Sequence, residues 1–224
     1  PNLKEMILKS NEMFQGSGAS YNGMDKLWRG IPGDRTLEFG AVQYHDTKYN
    51  YRGRAHDLKG FDEITEFSES IFEFLIGWTR THIKGQRCRV VCTCNPPSDR
   101  EGIWVKQRWA PWVDPRYKYE KAKPGELRWF ARVPSVIDGK ALTPEEILQL
   151  VPEGSRVMRK VTHSSQYEIE CPPDPFPFDD GTQVETIEPV SRSFIPARLV
   201  DNPFIDASYK RTLMAMPEPL RSQL

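Results

Sequence analysis

Two adjacent carboxylates, Asp62 and Glu63, stand between a short apolar approach, Leu58 to Phe61, and a helix-patterned run, Phe67 to Trp78. A pair of this kind at a rigid strand tip suits phosphoryl transfer. The first carboxylate holds the shell of a Mg²⁺ ion, and the second polarises the water that attacks the γ-phosphate of ATP. That chemistry is mostly positioning and electrostatics. Further along, Arg89-Val90-Val91-Cys92-Thr93-Cys94 reads as a stronger strand and ends in Asn95-Pro96-Pro97. Two adjacent parallel strands would bring both polar ends to one sheet edge, where open α/β sheets bind nucleotides. The same Phe61-Asp62-Glu63 also reads as an acidic cap turn before a helix. Both readings stand at this level.

Other groups offer less. Arg52-Gly53-Arg54 puts two guanidiniums on a glycine-punctuated loop, candidates for phosphate contact or plain surface arginines. Cys88, Cys92 and Cys94 share one face of a strand. With no histidine and no second cysteine pair close in sequence, they read as small buried hydrophobes rather than zinc ligands. No Gly-x-x-x-x-Gly-Lys-Ser/Thr run occurs, and Gly139-Lys140 leads into Ala141, so the sequence holds no phosphate cradle of that kind.

These candidates need elements to position them. Asn2 to Phe14 is patterned as an amphipathic helix with Leu3, Met6, Ile7 and Phe14 near one face, broken at Gly16-Ser17-Gly18. Leu37 to Val42 looks like a short strand, Leu58 to Glu63 like the strand that carries the carboxylates, and Ser68 to Thr81 like the helix after it, with Arg80 near its end. Residues 103–113 read as a short helix whose tryptophans pack inward. From Asp114 the texture changes to prolines and short strand-like runs, with a capped helix start at Thr143-Pro144-Glu145-Glu146. The run Cys171 to Pro177 reads as an extended excursion or a mobile loop. Ser191 to Leu199 returns to strand character, Asp201-Asn202-Pro203 makes a turn, and short helices are expected over 207–216 and 218–224. The expected division is therefore 1–113, 114–190 as a β-rich insertion, and 191–224.

Composition sets outer bounds. The 224 residues carry 31 basic and 31 acidic side chains, so no global basic field advertises nucleic acid. No apolar run is long enough to span a membrane, and no signal-peptide pattern opens the chain. The expectation is a soluble, intracellular protein without a disulfide framework.

Taken together, Tyr51-Arg52-Gly53, Phe61 to Glu69, Thr93-Cys94-Asn95-Pro96-Pro97, Phe194-Ile195-Pro196-Ala197 and Asp201-Asn202-Pro203, with Tyr209 and Leu213, resemble the large subunit of tailed-phage terminases over residues 50–224. The resemblance implies an α/β fold with a parallel-sheet P-loop ATPase core of the RecA-like, additional-strand, catalytic-glutamate type. It implies an ATP-hydrolysing motor that packages double-stranded DNA into procapsids. Asp62 matches the Walker B aspartate, which holds Mg²⁺ through water, and Glu63 the catalytic glutamate. Thr93 and Asn95 match the coupling motif, with Cys94 where glycine is common, and Arg52 matches an upstream arginine that reaches a neighbouring subunit's ATP in some members. The implied cofactors are ATP and Mg²⁺. The implied partners are double-stranded DNA, a portal protein, the small terminase subunit and further copies in a ring, in the cytoplasm of the bacterial host. On the same grounds a Walker A loop is expected upstream of Pro1 and a nuclease domain after Leu224, which would leave these residues inert by themselves. Two alternatives remain. Another ATP-driven translocase or helicase would need basic and aromatic single-strand contacts, which the sequence lacks. A non-catalytic phage assembly or scaffold module would make Asp62-Glu63 a cap alone.

Overall fold

The computed structural model describes residues 3–97, 100–161 and 163–197, with positions 201, 203, 211, 212, 214 and 215. Apart from those single positions, the turn and helices expected beyond residue 200 lie outside the described residues. The chain forms two compact units, residues 1–64 with 71–93 and residues 65–70 with 94–224.

In the first unit, helix α1 (Leu3–Phe14) precedes a meander of β1 (Ser20–Asn22), β2 (Leu27–Ile31) and β3 (Arg35–Glu38). The helix turns Leu3, Ile7, Ser10 and Phe14 inward, while Met6 stays exposed. Ser10 belongs on that face because the indole of buried Trp28 donates to its Oγ at 2.9 Å, with Phe14 and Tyr21 against the ring. A 3₁₀ segment, His45–Tyr51, follows. Then come β4 (Leu58–Phe61), helix α2 (Glu69–Ile76), whose first two residues, Glu69 and Ser70, belong to the second unit, and β5 (Arg89–Cys92). α2 stops at Ile76, short of the expected Thr81, because Gly77 follows and Thr79 leaves to bridge His56. Arg80 therefore caps no helix and lies over the Trp78 ring at 5.0 Å.

The second unit contains α3 (Ile103–Arg108) and α4 (Ala110–Val113), then β6 (Arg128–Pro134), β7 (Val136–Ile137), β8 (Lys140–Ala141), α5 (Pro144–Leu148), β9 (Arg156–Val161), β10 (Gln166–Glu170), β11 (Phe176–Asp179), β12 (Val184–Ile187) and β13 (Val190–Arg192). Its main sheet is antiparallel in the order β13-β6-β10-β9. One face buries Ala131, Val133, Tyr167 and Ile169 with Ile147, Cys171, Phe176 and Phe178. α5 delivers Ile147 to that core behind a capping box, with Thr143 and Glu146 each satisfying the other's backbone. The run after Cys171 leads into a strand. Phe176 and Phe178 alternate into the core while Pro177 points out, which a proline tolerates on a two-stranded edge hairpin.

A parallel-sheet P-loop core is not what forms. β4 and β5 are the only parallel strands among those described, and their sheet has two members. α2 lies in the crossover that lets β4 and β5 run parallel. The other described strand pairs all run antiparallel, β6 with β10 and β13 included, so no further strand extends a parallel sheet. Some of their links are tight. Asp138 and Gly139, both at positive φ, close the β7–β8 hairpin, and a short turn joins β9 to β10.

Ile169 sits fully buried at the centre of the main sheet. Ile169→Ala should lower unfolding free energy by about 2–5 kcal/mol in urea titrations, with an unchanged slope.

Candidate functional site

The tip of β4 is built around Thr93. Its backbone amide donates to the Phe61 carbonyl at 2.9 Å, and its carbonyl accepts from the Ile64 amide at 2.9 Å. Its hydroxyl donates to Asp62 Oδ1 at 2.7 Å. One residue thus holds three successive points around the carboxylate pair. To leave the strand at Phe61 and return at Ile64, the chain must fold back within two residues, and Glu63 takes a φ of +49°. A side chain in that left-handed region is strained by about 1–3 kcal/mol. Buried Phe61 and Ile64 anchor both sides, and Phe72 packs edge-on against Phe61 with centroids 5.0 Å apart.

The structure therefore brings Asp62 and Thr93 together at neighbouring ends of parallel strands. Asp62 and Glu63 are half-buried and Thr93 is exposed. Asn95 is also exposed, in the segment after β5. Arg52 is exposed and stacks over the Tyr49 ring at 5.1 Å. Arg54 is taken by an ion pair with Glu38. Cys88 and Cys94 are exposed and Cys92 half-exposed, so the cysteines of β5 are not the buried hydrophobes expected. A strand paired on one side only leaves these faces open.

Asp62 suits a Mg²⁺ ion that keeps most of its waters. Thr93 occupies one lobe of the carboxylate and fixes its rotamer, and Mg²⁺ is commonly held by one or two carboxylates plus phosphate oxygens. Among the described residues no cluster of three His, Cys, Asp or Glu is placed to hold a metal by protein ligands alone. No described helix is long and apolar enough to cross a membrane.

A second polar centre lies inside the other unit, and sequence reading missed it. Opposite the apolar core, Glu168 faces Arg132 and Arg159 across the strands. Arg192 Nη2 donates to Glu168 Oε1 at 2.5 Å, and Arg159 Nε donates to Oε2 at 2.7 Å. Glu69, at the start of α2, covers this face. It accepts from Arg159 Nη1 at 2.9 Å, with Arg108 and Arg132 each 3.4 Å away. Arg192 also donates to the Arg108 carbonyl at 3.2 Å. Burial pushes the Glu168 carboxyl up, yet Arg192, Arg108, Arg159 and Arg132 together hold it far below the usual carboxylate range. Burial likewise acts upward on Glu69, and hydrogen bonding to Arg159 with the nearby guanidiniums brings it below its ordinary value. Desolvation foremost, then the Arg108 charge, pushes Arg192 down to about 9, so it remains protonated at neutral pH. The charges at Arg128 and Arg132, with Phe130 between them on one face, and at Glu168 and Glu170 were visible in sequence, but charges on one strand face ordinarily mark a solvated side.

Two outcomes follow from this geometry. Glu63→Gly should raise unfolding free energy by up to about 1 kcal/mol in urea, because glycine relieves the positive φ at a smaller entropic cost. For the buried network, Glu168 and Glu69 have depressed folded pKa values, so their stabilisation is present above the unfolded value of about 4.3 and fades as pH falls below it. The urea midpoint should hold from about pH 7 to 5 and drop below about pH 4.5. Glu168→Gln should cost about 3–5 kcal/mol at pH 7 and flatten that acid limb.

Comparison of the chain with family models, with curated proteins and with solved structures returns no match.

Proposed function

We propose that this chain supplies the carboxylate-bearing half of an ATP-hydrolysing motor that moves double-stranded DNA into a procapsid, as the terminase resemblance implies. The observation that carries the reading is the Thr93–Asp62 hydrogen bond at the paired ends of β4 and β5, with Glu63 next in a strained turn. Asp62 would hold Mg²⁺ through water, and Thr93 keeps that carboxylate in one rotamer. Glu63 would orient the attacking water and accept its proton. Bound Mg²⁺ supplies charge neutralisation on the phosphate oxygens. Arg52, on an exposed loop, would reach the nucleotide of a neighbouring copy in a ring, and Asn95 would pass the change at the site to the segment after β5. DNA, portal and small-subunit contacts belong to the same proposal. None of the glycine runs here has the phosphate-cradle pattern, so on this reading the nucleotide's phosphates would need a separate phosphate-binding polypeptide.

Residues 1–224 alone should bind Mg-ATP no better than the millimolar range; calorimetry finding micromolar affinity would overturn the division of labour. In a chain that also carries the phosphate-binding polypeptide, Glu63→Gln should lower DNA-stimulated turnover by about 10²–10⁴ and leave ATP affinity intact. Asp62→Ala should weaken Mg-ATP affinity as well. Near wild-type turnover in Glu63→Gln would reduce the pair to a turn and sink the motor reading.

A further inference from the structure

Within the first unit, a carboxylate, an imidazole and an amine stand in line. Glu38 ends β3, His56 precedes β4, and Lys59 lies on β4. Glu38 Oε2 is 3.1 Å from His56 Nε2, and His56 Nδ1 is 3.2 Å from Lys59 Nζ. The roles are fixed by elimination. An ionised carboxylate only accepts and an ammonium only donates, so the ring carries its proton on Nε2 toward Glu38 and presents the Nδ1 lone pair to lysine. The ring is also held through its backbone, because the His56 amide donates to the Trp78 carbonyl and the Arg80 amide donates to the His56 carbonyl. Arg54 steadies Glu38 from the far side by an ion pair. Tyr51 also lies near Glu38, and its hydroxyl donates to the Ala41 carbonyl at 3.2 Å.

We propose that the Glu38–His56–Lys59 line is a reactive-amine site, in which Lys59 condenses with a small aldehyde to form an imine. It is a carboxylate–imidazole–nucleophile arrangement with an amine in the nucleophile's place. His56 Nδ1 takes a proton from the Lys59 ammonium while Glu38 stabilises the imidazolium. The freed lone pair on Nζ attacks the carbonyl carbon, and the C=O π electrons move to oxygen. The carbinolamine then expels water made from the carbonyl oxygen and the two hydrogens of the neutral amine, leaving C=N. No oxidant or reductant enters. The obstacle is the gap of about 4 units between an ordinary lysine and an ordinary histidine. Burial of half-exposed Lys59 narrows it by pushing the amine down, against an upward pull from Glu38. The site shares no residue with the Asp62–Thr93 arrangement and does not depend on it.

The test is reductive alkylation of the 224-residue chain with acetaldehyde and cyanoborohydride across pH 6 to 9, with peptides quantified by mass spectrometry. Exposed Lys9 and Lys84 serve as internal standards. At pH 7 Lys59 should react about tenfold faster than either, as expected for a lysine with a lowered pKa. His56→Gln and Glu38→Gln should each return Lys59 to about the standards' rate at pH 7, while Lys9 and Lys84 keep theirs. Because Glu38 pulls the amine pKa up, a slower Lys59 in Glu38→Gln reports loss of the relay and not a change in that pull. Two results overturn the proposal: wild-type Lys59 reacting no faster than the standards, or a Lys59 rate at pH 7 that is unchanged or raised in either variant. Either would make the line a structural ion-pair chain.

Discussion

Glu168 sets the constraint to which the second unit is built. A carboxylate fully inside a protein is tolerable only with charge and hydrogen bonds around it, since desolvation costs several kcal/mol per ion. Here the compensation comes from every strand of the main sheet. Arg159 on β9, Arg132 on β6 and Arg192 on β13 converge on β10, and Arg108 of α3 and Glu69 of α2 close over them. The sheet is thus covered on both faces by different means, apolar packing on one and a charged layer on the other. The apolar face tolerates substitutions of similar volume. The charged layer is far less tolerant, because removing one member strands its partners in a low-dielectric site. Strand register follows: a slip of one residue would send Glu168 into the apolar core and Ile169 among the arginines.

The local strand pattern was right where the wider topology was not. Arg89–Cys92 and Leu58–Phe61 look like buried parallel strands and do pair in parallel. Yet a parallel sheet buries both faces only when further strands and helices join it. With two members, Leu58 and Val91 remain more than half exposed, and Cys88 and Cys94 beside β5 are exposed. The expectation of a larger parallel core extended the logic of one strand pair to a chain whose later described strands pair antiparallel.

Local signals were legible in sequence where they acted locally. The Thr143 capping box, the helix breaker after Phe14, the two apolar runs and the polar residues at their ends all appear where their patterns put them. What stayed illegible depends on partners distant in the chain. Ser10 is buried because Trp28 needs an acceptor. Phe176 and Phe178 enter the core although prolines surround them, because an edge hairpin asks for no amide there. Glu38, His56 and Lys59 come from three different segments, and no spacing rule joins them. The charged face of β6 and β10 carries the pattern of a solvated surface, and only the covering by Glu69 and Arg108 makes it an interior.

The two candidate sites also differ in what limits them. At Asp62 the geometry is over-determined, since Thr93 fixes the strand end, the turn and the carboxylate together. Its dielectric is not, because Thr93 is exposed and water reaches the pair. Electrostatic stabilisation of a developing charge is strong only where water is excluded. Thr93 therefore contributes positioning, and strong charge stabilisation at the pair would require water to be excluded from it. At Lys59 the balance is reversed. The amine is already withdrawn enough for burial to act on it, while its geometry rests on two hydrogen bonds to one ring. Loss of either bond would free the ring to rotate, so the relay is the more fragile of the two in structure and the less dependent on a lid for its chemistry.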